Sequence, residues 1–141
     1  MTDADPFNLK RFIDAQRADY DRALAELRAG RKSSHWIWYI FPQMKGLGFS
    51  EASCFYGLSG LDEARAYLAH PILGPRLRAC VDAMLALNGE AEEILGGVDA
   101  LKFRSSMTLF SVAAPDHPAF SAALQRYFSG PDERTLSLLA T

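Results

Sequence analysis

From Leu9 to Leu27 the apolar side chains fall at three- and four-residue steps, which restricts this part of the chain to a helix. Leu9, Phe12, Ile13, Gln16, Tyr20, Ala23, Leu24 and Leu27 make one stripe. Lys10, Asp14, Arg17, Asp21, Arg22 and Glu26 fall on the opposite face, where Lys10–Asp14, Arg17–Asp21 and Arg22–Glu26 stand at i,i+4. Gly30 is placed to end the helix, because it accepts the left-handed conformation without a Cβ clash. A half-buried strand would instead need apolar and polar residues in alternation, and such runs are nearly absent from the whole chain.

The same spacing recurs further on. Ser59 is placed to cap a short helix through Leu61, Ala64, Tyr67 and Leu68, which His70-Pro71 breaks. Leu73, Leu77, Cys80, Val81, Met84 and Leu85 form a second strong stripe, closed by Asn88-Gly89. Glu90 to Leu95 reads as a turn or two of helix, and Val98 to Val112 carries a stripe through Phe103, Met107 and Phe110. Asp116 is placed to cap a helix lined by Phe120, Leu124, Tyr127 and Phe128, and Asp132 opens a last one to Leu139. The segment from Lys45 to Gly60 reads as loop with a short helical turn. The expected fold is mainly α, a compact multi-helix domain spanning residues 1–141, with room for one short strand pair near residues 36–41.

With 49% hydrophobic residues the chain can bury a real core. Its 17 acidic and 15 basic residues give a net charge of −2, so no nucleic-acid partner is expected. Cys54 and Cys80 sit among apolar neighbours and read as buried free thiols of a reducing compartment. No metal-ligand spacing, cofactor motif, signal peptide or membrane-spanning run is visible, and the expected location is the cytoplasm.

Three places put polar groups where a plain helix bundle would not. In KSSHWIWYIFPQMKG, six large apolar residues, Trp36 to Phe41, stand between Lys32-Ser33-Ser34-His35 and Pro42-Gln43. Helical or extended, the run is either a core wedge or the wall of a pocket, and Trp36, Trp38 and His35 each need a polar partner. In DALKFRSSMTLF, Lys102 and Arg104 accompany the hydroxyls of Ser105, Ser106 and Thr108, a set suited to an anion or to close helix packing. Gln16 puts an amide on the apolar stripe of the first helix, where it needs a backbone or ligand partner.

GRKSSHWIWYIFPQMKGLGFSEAS, EARAYLAHPILGPRL and DALKFRSSMTLF resemble, in order and over nearly the whole chain, a bacterial family catalogued as domain of unknown function 1810. That resemblance implies a compact, mostly helical fold and brings no activity with it. FIDAQR, Phe12 to Arg17, is also similar to the YFQAQK segment of the NADAR family, helical N-glycosidases acting on ADP-ribose derivatives and riboflavin intermediates. Lys10 stands where that family carries a glutamate, so the likeness implies a nucleotide-like ligand more than glycosidase chemistry.

Together these readings predict a small polar or phosphorylated ligand held between residues 35–43 and the helix around 99–110. Its candidate contacts are Gln16, Lys32, His35, Trp36, Trp38, Gln43, Lys102, Arg104, Ser105, Ser106 and Thr108. The competing expectation is a protein-interaction module in which the aromatic run is an exposed hot spot.

Overall fold

The helix Gly97–Ala113 is buried on several faces at once, and the other elements are arranged around it. The structure is a computed structural model that describes residues 5–140; positions 1–4 and 141 of the expected domain lie outside them. Among the described residues there are nine helices. They are α1 (Lys10–Ala29), α2 (Ile37–Ile40), α3 (Glu51–Tyr56), α4 (Leu61–Ala69), α5 (Leu73–Leu85), α6 (Ala91–Leu95), α7 (Gly97–Ala113), α8 (Pro118–Tyr127) and α9 (Glu133–Leu139). α4, α6, α8 and α9 pack on α7, while α1 packs on α5 and carries α2. The fold is all-α, and no described helix is long and apolar enough to cross a membrane.

Where a short strand pair had room, residues 37–40 instead form a single helical turn, ended where Pro42 disfavours helical geometry at Phe41. Among the described residues the extended pairing is one isolated bridge just beyond, Met44 to Leu58. There the Leu58 N–H donates to the Gln43 carbonyl and the Lys45 N–H to the Leu58 carbonyl, both at 2.9 Å. This bridge fixes the backbone on which Gln43 sits.

One apolar cluster runs through the helices. Phe12 of α1 meets Tyr67 of α4 edge to face at 5.1 Å, and Tyr67 meets Phe110 of α7 at 5.6 Å. Phe41 stands edge-on to Phe103 at 4.7 Å, which ties the aromatic run to α7. Such pairs place large rings at the helix crossings, where their burial contributes most.

Capping follows the sequence only in part. Gly30 ends α1 in the left-handed region (φ 82), and the Asp132 carboxylate accepts the Thr135 N–H at the start of α9. Ser59 and Asp116 do not cap. Gly60 holds the cap position before α4, and the Ser59 hydroxyl donates to Glu63 at 2.9 Å. His117 opens α8, with Pro118 at the first helical position where a missing N–H costs nothing.

Candidate functional site

A cleft of about 390 Å³ opens where the end of the aromatic run, the start of α7 and the start of α9 converge. Trp38 and Gln43 come from the run and its exit, Leu101, Lys102 and Ser105 from α7, and Asp132 and Arg134 from α9. The loop residues Leu47 and Gly48 complete the wall beside Val98. Four of the sequence candidates thus meet in one cleft: Trp38, Gln43, Lys102 and Ser105.

Each is held differently. The Lys102 ammonium lies 4.3 Å from the Trp38 ring centroid and 3.3 Å from an Asp99 oxygen, so the indole face and the carboxylate together position it. Ser105 donates to the Leu101 carbonyl at 3.1 Å and approaches Asp132 at 3.3 Å. One Asp132 oxygen also accepts the Thr135 N–H at 2.9 Å and the Thr135 hydroxyl at 2.6 Å. Arg134 donates to the Leu47 carbonyl at 3.2 Å and is otherwise exposed. Gln43 is different. It is only 7% exposed, yet its side-chain amide has no partner among the described residues and lines the cleft.

The remaining candidates are taken up inside the fold. Trp36 is completely buried and is no pocket wall: its indole N–H donates to Glu26 at 2.9 Å. The same carboxylate accepts the Ser33 N–H at 2.8 Å, the Ser34 N–H at 3.0 Å and the Ser34 hydroxyl at 2.6 Å. Burial alone would raise the Glu26 pKa, but these four donors outweigh it and hold the carboxyl at about 2. Glu26 is therefore not free for Arg22, which pairs with Asp19, and Arg17 likewise turns to Asp14 at 3.3 Å.

Gln16 is an internal strut. Its amide donates to the Tyr39 carbonyl at 2.7 Å and to the Tyr67 hydroxyl at 3.0 Å, and its oxygen accepts from Arg76 at 3.4 Å. Arg104 points away from the cleft, donating to the carbonyls of Gly130 at 2.9 Å and Pro131 at 3.1 Å. Thr108 donates to the Arg104 carbonyl and accepts the Asp132 N–H, both at 2.8 Å, fastening the loop before α9 to α7. Ser106 is enclosed in the core, its hydroxyl unpartnered. Ser105 and Thr108, three residues apart on one face of α7, both meet Asp132, whereas Ser106 faces another way into the core.

Lys32 and His35 line a separate, shallow depression with Gly96, Gly97 and Asp99. The Lys32 ammonium pairs with Asp99 at 2.8 Å and lies 4.9 Å from the Trp36 ring centroid, so that cation is already neutralised. Asp99 stands between two lysines, each beside an indole. That carboxylate lies in the first turn of α7 and separates the two cations.

Sequence periodicity also misses Asp132 and Arg134, which arrive from the far end of the chain, and the buried pair Arg11–Glu63 at 2.8 Å. Arg11 falls outside the apolar stripe read for α1. Its guanidinium also donates to the carbonyls of Phe7, Asn8, Phe55 and Gly57, locking both ends of the 55–57 turn to α1. Among the described residues no group of three histidine, cysteine or acidic side chains could hold a metal ion.

The profile of a family described as "Protein of unknown function (DUF1810)" matches residues 6–139. No curated protein matches the sequence. The crystal structure of the conserved hypothetical protein Rv1873 from Mycobacterium tuberculosis is similar throughout, with a TM-score of 0.95 and 50% identity. The match covers 97% of this chain and 99% of that one.

Proposed function

This chain belongs to the DUF1810 family, and from its own geometry we propose that it is a cytoplasmic protein binding a small anionic, nucleotide-like ligand. The site is the cleft between Trp38, Gln43, Lys102 and Arg134. The observation that carries the reading is Gln43. Its carboxamide has no protein partner among the described residues and opens into the cleft, so its donor and acceptor are free for a ligand.

Charge gives the sign of the ligand. Lys32 and Asp99 neutralise one another beside the cleft, which leaves Lys102 and Arg134 facing Asp132. The surplus is one positive charge, matching a phosphate or carboxylate rather than a cation. The apolar wall of Trp38, Leu47, Val98 and Leu101 accommodates the uncharged part. The two free thiols, Cys80 buried and Cys54 exposed, agree with a reducing compartment.

Thermal melts with AMP and ribose 5-phosphate test the proposal. A ligand at a hundred times its Kd stabilises by about 2.7 kcal/mol, a shift of several degrees in a chain of this length. Lys102→Met, which keeps the apolar stem over Trp38, is expected to abolish the shift while leaving the ligand-free melt nearly unchanged. Absence of any shift with either compound in the wild type contradicts the proposal.

A further inference from the structure

Asp132 is the single acid among the described residues that line the cleft, and an acid there needs a reason. It shares the wall with Lys102 and Arg134, where its charge works against an anionic ligand. Capping does not require it. Asp132 opens α9 by accepting the Thr135 N–H, a task that asparagine or serine performs about as well.

The carboxylate is also used unevenly. Oδ2 accepts the Thr135 N–H at 2.9 Å and the Thr135 hydroxyl at 2.6 Å, and Ser105 approaches it at 3.3 Å. Oδ1 has no hydrogen-bond partner among the described residues, on a half-buried side chain that lines the cleft. Anchored through Oδ2, the carboxylate is already ordered, so a ligand donor that meets Oδ1 loses little free energy to ordering it. Gln43 adds a free donor and a free acceptor to the same cleft. The group that complements both side chains must donate to a carboxylate and must both give to and take from a carboxamide. A hydroxyl does this. A cationic donor does not fit, because Lys102 and Arg134 outnumber Asp132.

Resting on the reading of the cleft as a ligand site, we infer that its ligand is a sugar phosphate or sugar carboxylate recognised by its hydroxyls, one of which donates to Oδ1 of Asp132. A second hydroxyl exchanges hydrogen bonds with the Gln43 carboxamide, and the anionic end lies towards Lys102 and Arg134. A hydroxyl on a carboxylate makes a charge-assisted bond, stronger than one between neutral groups. Asp132 is thus a specificity residue. It weakens the hold on every anion and restores it only for one with a hydroxyl within reach.

The test compares AMP with its dideoxy analogue, which keeps the base and the phosphate and lacks both free ribose hydroxyls. Binding is followed by calorimetric titration on the full chain, in the wild type, Asp132→Asn and Asp132→Ser. Both substitutions leave an oxygen to cap α9, and thermal melts show that each variant is folded. The wild type is expected to bind AMP about tenfold more tightly than the analogue, or better, as for one hydrogen bond to a charged group. Both variants are expected to lose most of that preference. The analogue is expected to bind them at least as tightly as the wild type, because a charge opposing its phosphate is gone. Equal binding of the two compounds by the wild type, whatever the variants do, overturns the hydroxyl recognition but leaves the cleft as an anion site. An undiminished preference in a folded variant does the same. A variant that weakens both compounds alike also overturns it, since Asp132 then acts only by shaping the site. Binding of neither compound by the wild type overturns the cleft reading and this inference together.

Discussion

The Glu26 carboxylate receives the Trp36 indole N–H at 2.9 Å, and this one bond decides which tryptophan is core and which faces the cleft. Trp36 is drawn under the end of α1, and the helical turn that follows leaves Trp38 half-buried beside Lys102. Glu26→Ala deprives a fully buried indole N–H and two backbone N–H groups of their acceptor. The expected loss is about 1–3 kcal/mol, because buried donors left unpaired keep their desolvation cost. Urea unfolding measures it, and Trp36→Ala is expected to cost more, on the order of 3–5 kcal/mol, through the cavity it leaves.

The same carboxylate makes stability depend on acid. Held at about 2 in the folded chain against an ordinary 4.5, Glu26 binds its proton less readily folded than unfolded. Its contribution is therefore complete above pH 4.5 and is lost as pH falls from there through about 2. Urea midpoints of wild type and Glu26→Gln are expected to differ most near neutrality and to converge towards pH 2. A difference that stays constant across that range contradicts the assignment.

Arg11 and Glu63 should behave as a unit. Both side chains are nearly enclosed, and Glu63 also accepts the Ser59 N–H and hydroxyl at 2.9 Å. Arg11→Met leaves a buried carboxylate without its cation and is expected to cost about 3–5 kcal/mol. The double substitution Arg11→Met with Glu63→Gln is expected to cost clearly less than the two single changes added together, as contact pairs do. Strict additivity in a denaturation cycle contradicts the coupling.

How much of this was legible in the sequence depended on the range of the interactions. The apolar spacing of Leu9 to Leu27 and of Leu73 to Leu85 specifies helices α1 and α5 because both faces are written locally. The run Trp36 to Phe41 is apolar on every side, so periodicity leaves it open between strand and helix. The acceptor that settles it, Glu26, lies ten residues away on what reads as a solvent face. The candidate site divided in the same way. Lys102 and Trp38 were visible as residues that need partners, whereas Asp132 and Arg134 enter only through the packing of α9 on α7. Arg104 and Thr108 carry the right chemistry for an anion site and spend it on the 130–132 loop.

Gln43 should reveal itself in binding and not in stability. Its amide opens into the cleft without a partner among the described residues, while its backbone is fixed by the bridge to Leu58. Gln43→Met keeps the volume and removes no protein hydrogen bond, so the ligand-free chain is expected to hold its stability to within about 0.5 kcal/mol. AMP binding is expected to weaken at least tenfold in the same variant, corresponding to about 1.4 kcal/mol. Denaturation without ligand and titration with AMP separate the two effects, and undiminished AMP binding contradicts the account.

The most direct test of the cleft uses the two indoles as paired probes. In a nitrogen–proton correlation spectrum Trp36 and Trp38 each give one indole N–H signal, and only Trp38 lines the cleft. Titrated with AMP, the Trp38 signal is expected to move progressively and saturate, while the Trp36 signal, held by Glu26 in the core, stays where it is. A titration that leaves Trp38 unmoved, or that moves Trp36 instead, contradicts the assignment of this cleft as the ligand site.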